Sequence, residues 1–210
     1  GSPEMVMILA LLASYSFSVP EMYFQVGVES DQTLLLDYRI RFECRDGADP
    51  IDVVDIGLPG TEWSTFGMEA FLDGVSTPVN RSSYIENGVE IRLWPGIGPG
   101  ETGVLEFHGS CGGAVYKDDK QDGWASLRLS PTWFDGSMIH GNTRLVMDLV
   151  FPPGSSPELV RYHDVPFDTA WVAKNRVLFR WERDVRLNRS FEVGVGFPDS
   201  LVTGSLSARP

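Results

Sequence analysis

Between Phe24 and Phe42 the chain alternates apolar and polar residues with a period of two. Phe24, Val26 and Val28 alternate with Gln25, Gly27 and Glu29; past Ser30-Asp31, Leu34, Leu36, Tyr38, Ile40 and Phe42 alternate with Leu35, Asp37, Arg39, Arg41 and Glu43. Successive side chains point to opposite sides only in an extended strand, so this pattern fits a β-strand and excludes an amphipathic helix. It predicts an antiparallel hairpin with one face buried and the other wet. A sheet with one apolar face must be covered by a second layer.

Further short runs continue the pattern. Ile51–Ile56, Phe66–Leu72, Val89–Trp94, Val104–His108 and Ala125–Leu129 read as strands, as do Arg144–Phe151, Leu159–Tyr162, Ala170–Val172, Val177–Trp181 and Phe191–Phe197. Asp73-Gly74, Asn87-Gly88, Pro99-Gly100, Asp122-Gly123 and Pro153-Gly154 punctuate them as turns, consistent with 22 Gly and 14 Pro among 210 residues. No window keeps a helical period. The expected class is all-β, an antiparallel β-sandwich, arranged as two immunoglobulin-like sandwiches in tandem. The polar, glycine-containing stretch Ser110–Asp122 is the natural divide, giving a first sandwich over 19–112 and a second over 113–202; one continuous sandwich is the competing arrangement. Residues 203–210 are small and polar, like a linker. Residues 1–18 combine an expression scar, Gly1-Ser2-Pro3-Glu4, with the apolar run Met5–Ala13 ahead of Ser14 and Ser16, as in a secretory signal or a membrane-proximal segment. A buried strand over Val6–Phe17 is the alternative reading.

A formal net charge of −12 repels a phosphate backbone, which argues against nucleic acid as a partner. Contact with a membrane is expected only through segments outside the folded region. Two acidic groups supply hard oxygen ligands of the kind calcium takes: Asp49, Asp52 and Asp55 in one, Asp118, Asp119 and Asp122 in the other. The first lacks the spacing of a helix-loop-helix calcium loop. It reads otherwise as a turn at Asp46-Gly47 leading into a strand whose acids are solvated or bonded to backbone. An exposed interdomain turn explains the second equally well. Calcium is the one cofactor the sequence suggests. Cys44 and Cys111 stand outside any CxxC pair, so structural zinc is not indicated; in an oxidising compartment they could form a disulfide.

Ser130–Gly141 holds the most distinctive chemistry. Trp133 and Phe134 beside Asp135 and His140 combine aromatic faces with orienting polar groups, a mixture able to bind a sugar or a peptide. Plugging the end of a sandwich is the alternative role for such a Trp. No catalytic set is assigned: there is no G-x-S-x-G elbow, phosphate loop or G-x-G-x-x-G, and carboxylate pairs cannot be chosen without distances.

Ile51-Asp52-Val53-Val54-Asp55-Ile56-Gly57-Leu58-Pro59 and Ser130-Pro131-Thr132-Trp133-Phe134 resemble motifs of uncharacterised bacterial membrane-attached proteins that carry an extracytoplasmic β-rich region. The resemblance runs from about Val19 to Leu201. It implies a secreted or membrane-anchored envelope location and supplies no catalytic residues. The expected function is a non-catalytic extracytoplasmic binding or interaction module with a protein or glycan partner at the cell surface. A hydrolase with a carboxylate/His site in an interdomain cleft is the alternative, and a structural spacer domain the third reading.

Overall fold

The computed structural model describes residues 14–210, and the alternating segment becomes its central pair. Strands β1 (Phe17–Val28) and β2 (Leu34–Cys44) pair antiparallel from Val28↔Leu34 to Phe17↔Cys44. Met22, Phe24, Val26, Leu36, Tyr38 and Ile40 are buried, while Arg39 and Arg41 face outward. The register slips once, between Ser18 and Glu21, at Pro20, which has no N–H to give to a ladder. The connecting turn closes through Glu29 N–H to Thr33 O at 2.8 Å and places Gln32 at φ 71°.

The remaining strands are β3 (Ile51–Gly57), β4 (Glu69–Leu72), β5 (Val75–Thr77), β6 (Val79–Arg81) and β7 (Gly88–Ile97), then β8 (Thr102–Cys111), β9 (Tyr116–Lys117) and β10 (Trp124–Leu129). After them come β11 (Ile139–His140), β12 (Thr143–Val150), β13 (Arg161–His163), β14 (Thr169–Ala173), β15 (Arg176–Val185) and β16 (Val193–Pro198). Among the described residues the only helices are short 3-10 turns at Pro157–Leu159 and Asp199–Leu201. None is long and apolar enough to cross a membrane. The fold is all-β, as the alternation requires.

A nine-stranded sheet runs β14-β15-β12-β1-β2-β8-β4-β5, with β11 also pairing β1. A four-stranded sheet, β13-β16-β10-β9, and a three-stranded sheet, β3-β7-β6, complete the fold. Their buried faces meet in one apolar core holding Phe24, Ile40, Ile91, Leu127, Trp181 and Phe197.

This architecture replaces the tandem immunoglobulin-like arrangement expected from the sequence. β1 pairs with β12 in parallel from Glu21↔Arg144 to Gly27↔Val150, so the large sheet draws strands from both sides of residue 112. The polar stretch after β8 is a connection between sheets that share one core. Alternation fixes which face of β1 is buried, but its second edge still needs a hydrogen-bonding partner, which here comes from far along the chain.

The Cys44–Cys111 disulfide that the sequence left possible does not form. Both cysteines are buried and free. Cys111 pairs with Leu34, at the opposite end of β2 from Cys44, and ten steps at ~3.3 Å put them about 33 Å apart. A disulfide needs Cα atoms within ~7 Å.

On the outer face of the large sheet, Asp148 is only 2% exposed. Arg180 donates to both its oxygens at 2.7 Å, and the Tyr23 hydroxyl donates to it at 2.9 Å. The Trp171 ring covers the guanidinium at 5.1 Å. A buried carboxylate is tolerable here because Arg180 and Tyr23 hydrogen-bond to both its oxygens.

Candidate functional site

The segment after β10 is pinned to the core at three points. The Thr132 N–H donates to the Tyr38 hydroxyl at 2.8 Å, and the Phe134 N–H donates to Leu187 O at 2.8 Å. Phe134 packs edge-on against Phe17 (5.4 Å) and Phe42 (5.7 Å). Asp135 then closes a turn by accepting from the Ser137 N–H at 2.7 Å and from the Ser137 hydroxyl, and these bonds hold its carboxyl below the usual range. With its neighbours held on both sides, Trp133 projects outward, 52% exposed.

Across from Trp133 stands the three-stranded sheet. Its β6–β7 loop is shaped by Ser82, whose Oγ accepts from the N–H groups of Tyr84 (3.0 Å) and Ile85 (2.8 Å) and donates to Asp55 at 2.5 Å. That loop leaves Tyr84 85% exposed. Between the two walls lies a mainly apolar cleft of about 410 Å³, floored by Phe17, Phe42, Ile51 and Val54. Buried Glu90 sits in its wall, bonded to Arg92 Nε at 2.8 Å and Ser83 Oγ at 3.0 Å. Tyr15 completes the rim and donates to Asp52 at 2.6 Å; that bond, with burial, pushes its phenol up to about 12. The polar groups are thus largely satisfied from within, and the aromatic faces of Trp133 and Tyr84 are what the cleft offers a ligand.

Of the four residues singled out in the sequence, Trp133, Phe134 and Asp135 line this cleft. His140 does not: it lies on β11, with Nε2 2.9 Å from Ser16 Oγ. The opposite wall, with Tyr84, Glu90 and Arg92, was missed. The spacing of Glu90 and Arg92 on one strand face offered a faint signal; a lone Tyr84 in a serine loop offered none.

Four of the six acidic residues are engaged by protein donors. Asp49 accepts from the Ser14 N–H, Asp52 from Tyr15, and Asp55 from Ser82. Asp118 accepts from the N–H groups of Lys120 (2.9 Å) and Gln121 (3.0 Å) and so caps its own turn. Asp118, Asp119 and Asp122 share that turn without converging on a point. The three histidines are dispersed: His108 meets Asp37, His140 meets Ser16, and His163 lies 3.5 Å from Asp118. Among the described residues no three His, Cys, Asp or Glu side chains are grouped where they could hold a metal ion.

No protein-family model and no curated protein matches the sequence. Its fold, however, is similar to that of solved peptidases. An M1 zinc metallopeptidase from Deinococcus radiodurans aligns at a TM-score of 0.54 and 17% identity, over 88% of this chain and 43% of that one. A mutant of that peptidase bound to a Tyr-Ser-Ala substrate aligns at 0.55 and 16%, with the same coverage. Aminopeptidase A from Legionella pneumophila, in complex with aspartic acid, aligns at 0.50 and 9% over 91% of this chain and 22% of its own. The chain therefore spans less than half the length of the peptidases it resembles. None of His108, His140 and His163 is followed by Glu, so the H-E-x-x-H zinc-peptidase motif does not occur in it.

Proposed function

We propose that the chain is a non-catalytic β-rich module of an M1-type peptidase architecture, in which the Trp133–Tyr84 cleft receives an aromatic or aliphatic side chain of a peptide. The observation that carries this reading is the fold likeness over 88% of the chain. It favours a hydrolase setting over a free-standing surface adhesin, and a peptide over a glycan as occupant. Zinc chemistry is assigned to a unit other than these strands, because their donors do not converge. The chain's own share is to hold the peptide: Trp133 and Tyr84 offer exposed faces on fixed backbone, and the Glu90–Arg92–Ser83 group stiffens the wall behind them.

Two assays test this. With zinc supplied, aminoacyl-p-nitroanilides should not be turned over by this chain; zinc-dependent turnover lost in His140→Ala or Glu90→Gln would replace the proposal with an active hydrolase. Titration with Tyr-Ser-Ala should change tryptophan emission in the wild type and not in Trp133→Phe. A flat titration in the wild type would remove the peptide. An extracytoplasmic, membrane-attached setting is a further proposal, supported by the apolar run Met5–Ala13. Protease treatment of intact cells should cleave the native protein if that setting is right and spare it if the protein is cytoplasmic.

A further inference from the structure

We propose that β14 is a self-association edge, through which two copies of the chain join their large sheets in antiparallel register about Trp171. β14 ends the nine-stranded sheet, and among the described residues nothing pairs with its far side. All five of its residues, Thr-Ala-Trp-Val-Ala, are exposed. None is charged, none is proline, and the strand carries no bulge, so the usual protections of a sheet edge are missing. An apolar cleft of about 430 Å³ lies against it, lined in part by the exposed large apolar residues Tyr162, Trp171 and Val172.

The hairpin dictates which backbone groups are free. β14 and β15 are joined by Lys174-Asn175, both in the left-handed region (φ 48° and 59°), a two-residue turn closed by Ala173↔Arg176. A closing pair of this kind exchanges both its hydrogen bonds, and bonding alternates along an antiparallel ladder. Ala173, Trp171 and Thr169 therefore bond inward to β15, while Val172 and Ala170 direct N–H and C=O to the open edge.

Sequence symmetry selects the occupant. Thr169-Ala170-Trp171-Val172-Ala173 sets small, uncharged residues symmetrically on either side of Trp171. A two-fold axis there sets Ala170 against Val172 of the second copy, the pair whose free groups bond to each other, and does so twice. Asp168, just before the strand, is turned toward β15: its carboxylate accepts from the Glu182 N–H (2.7 Å) and from Arg183. Its own N–H donates to Arg180 O at 2.8 Å, so the open edge carries no charge. The two Trp171 rings meet at a non-hydrogen-bonded pair, where side chains come closest. A charge of −12 on each copy opposes association, so the contact should be weak and should tighten with salt.

Sedimentation velocity should show monomer at about 1 µM and a growing dimer at about 100 µM, as expected of a contact at the small end of protein interfaces. Val172→Lys should leave only monomer across this range. Mild oxidation should cross-link Trp171→Cys into a covalent dimer, and should leave Ala170→Cys largely uncross-linked because its opposite is Val172. Monomer throughout, with no cross-linking of Trp171→Cys, would overturn the proposal. So would a dimer indifferent to Val172→Lys, or equal cross-linking of both cysteine variants, which would mean the copies meet elsewhere or in another register.

Discussion

Removing a single oxygen atom from Tyr38 tests how the Trp133 loop is held. Tyr38 is buried, its ring stacked on Phe24 at 4.1 Å and 13°, and its hydroxyl accepts the Thr132 N–H at 2.8 Å. Burial pushes the phenol far up, so the group remains a neutral hydroxyl in ordinary buffers. Tyr38→Phe keeps the ring and the stack and deletes only the acceptor. Thr132 is itself buried, so its N–H is left without a partner and without water. An unsatisfied buried donor costs about 1–3 kcal/mol, against ~3–5 kcal/mol expected when a large aromatic is cut to Ala and leaves a cavity. Urea denaturation followed by circular dichroism should show a loss of about 1–3 kcal/mol with an unchanged slope. Amide exchange should accelerate at Thr132, Trp133 and Phe134 while β1 and β2 keep their protection. A change below ~0.3 kcal/mol with unaltered exchange would refute the pinning argument, since the N–H would then have another acceptor.

Three further outcomes follow from the same structure. Asp148→Ala strips Arg180 and Tyr23 of their shared acceptor; the loss in urea melts should be about 2 kcal/mol, below the ~3–5 of a fully buried pair because Arg180 keeps partial access to water. Tyr15 and Tyr23 hold their phenolic protons to about 12, Tyr15 chiefly through its bond to Asp52 and Tyr23 chiefly through burial. The unfolded chain releases these protons near 10, so stability present below pH 10 should fall as pH rises from 10 towards 12, and Tyr23→Phe should flatten part of that fall. Cys44 and Cys111 should alkylate slowly in the native protein, burial having pushed the Cys111 thiol up to about 11, and the melting temperature should be the same with and without dithiothreitol.

What the sequence disclosed was whatever could be read over a few neighbouring residues. The alternation through Phe24–Phe42 specified a hairpin and its buried face, because a period of two is a local property. Trp133, Phe134 and Asp135 were legible as one site because they are consecutive. The parallel pairing of β1 with β12 was not legible: strands whose order along the chain does not match their order in the sheet leave no periodic trace. For the same reason a two-sandwich division at residue 112 looked natural, and Cys44 seemed free to meet Cys111. The second wall of the cleft comes from Tyr84, Glu90 and Arg92, which join Trp133 only after the three-stranded sheet has packed against the core. His140, close to Trp133 in sequence, does not line the cleft: its ring is directed to Ser16, with Nε2 2.9 Å from the hydroxyl.

The face between the three-stranded sheet and the Trp133 loop is proposed to receive peptide without cutting it. Two-dimensional ¹H–¹⁵N spectra recorded during titration with Tyr-Ser-Ala, in the presence of zinc, test it most directly. Shifts are expected at the Trp133 indole N–H and at the Phe134, Tyr84 and Arg92 amides, with unmoved signals at Arg41 and Arg144 on the outer face and intact tripeptide at the end. No shifts, shifts confined to another face, or release of free tyrosine would contradict it.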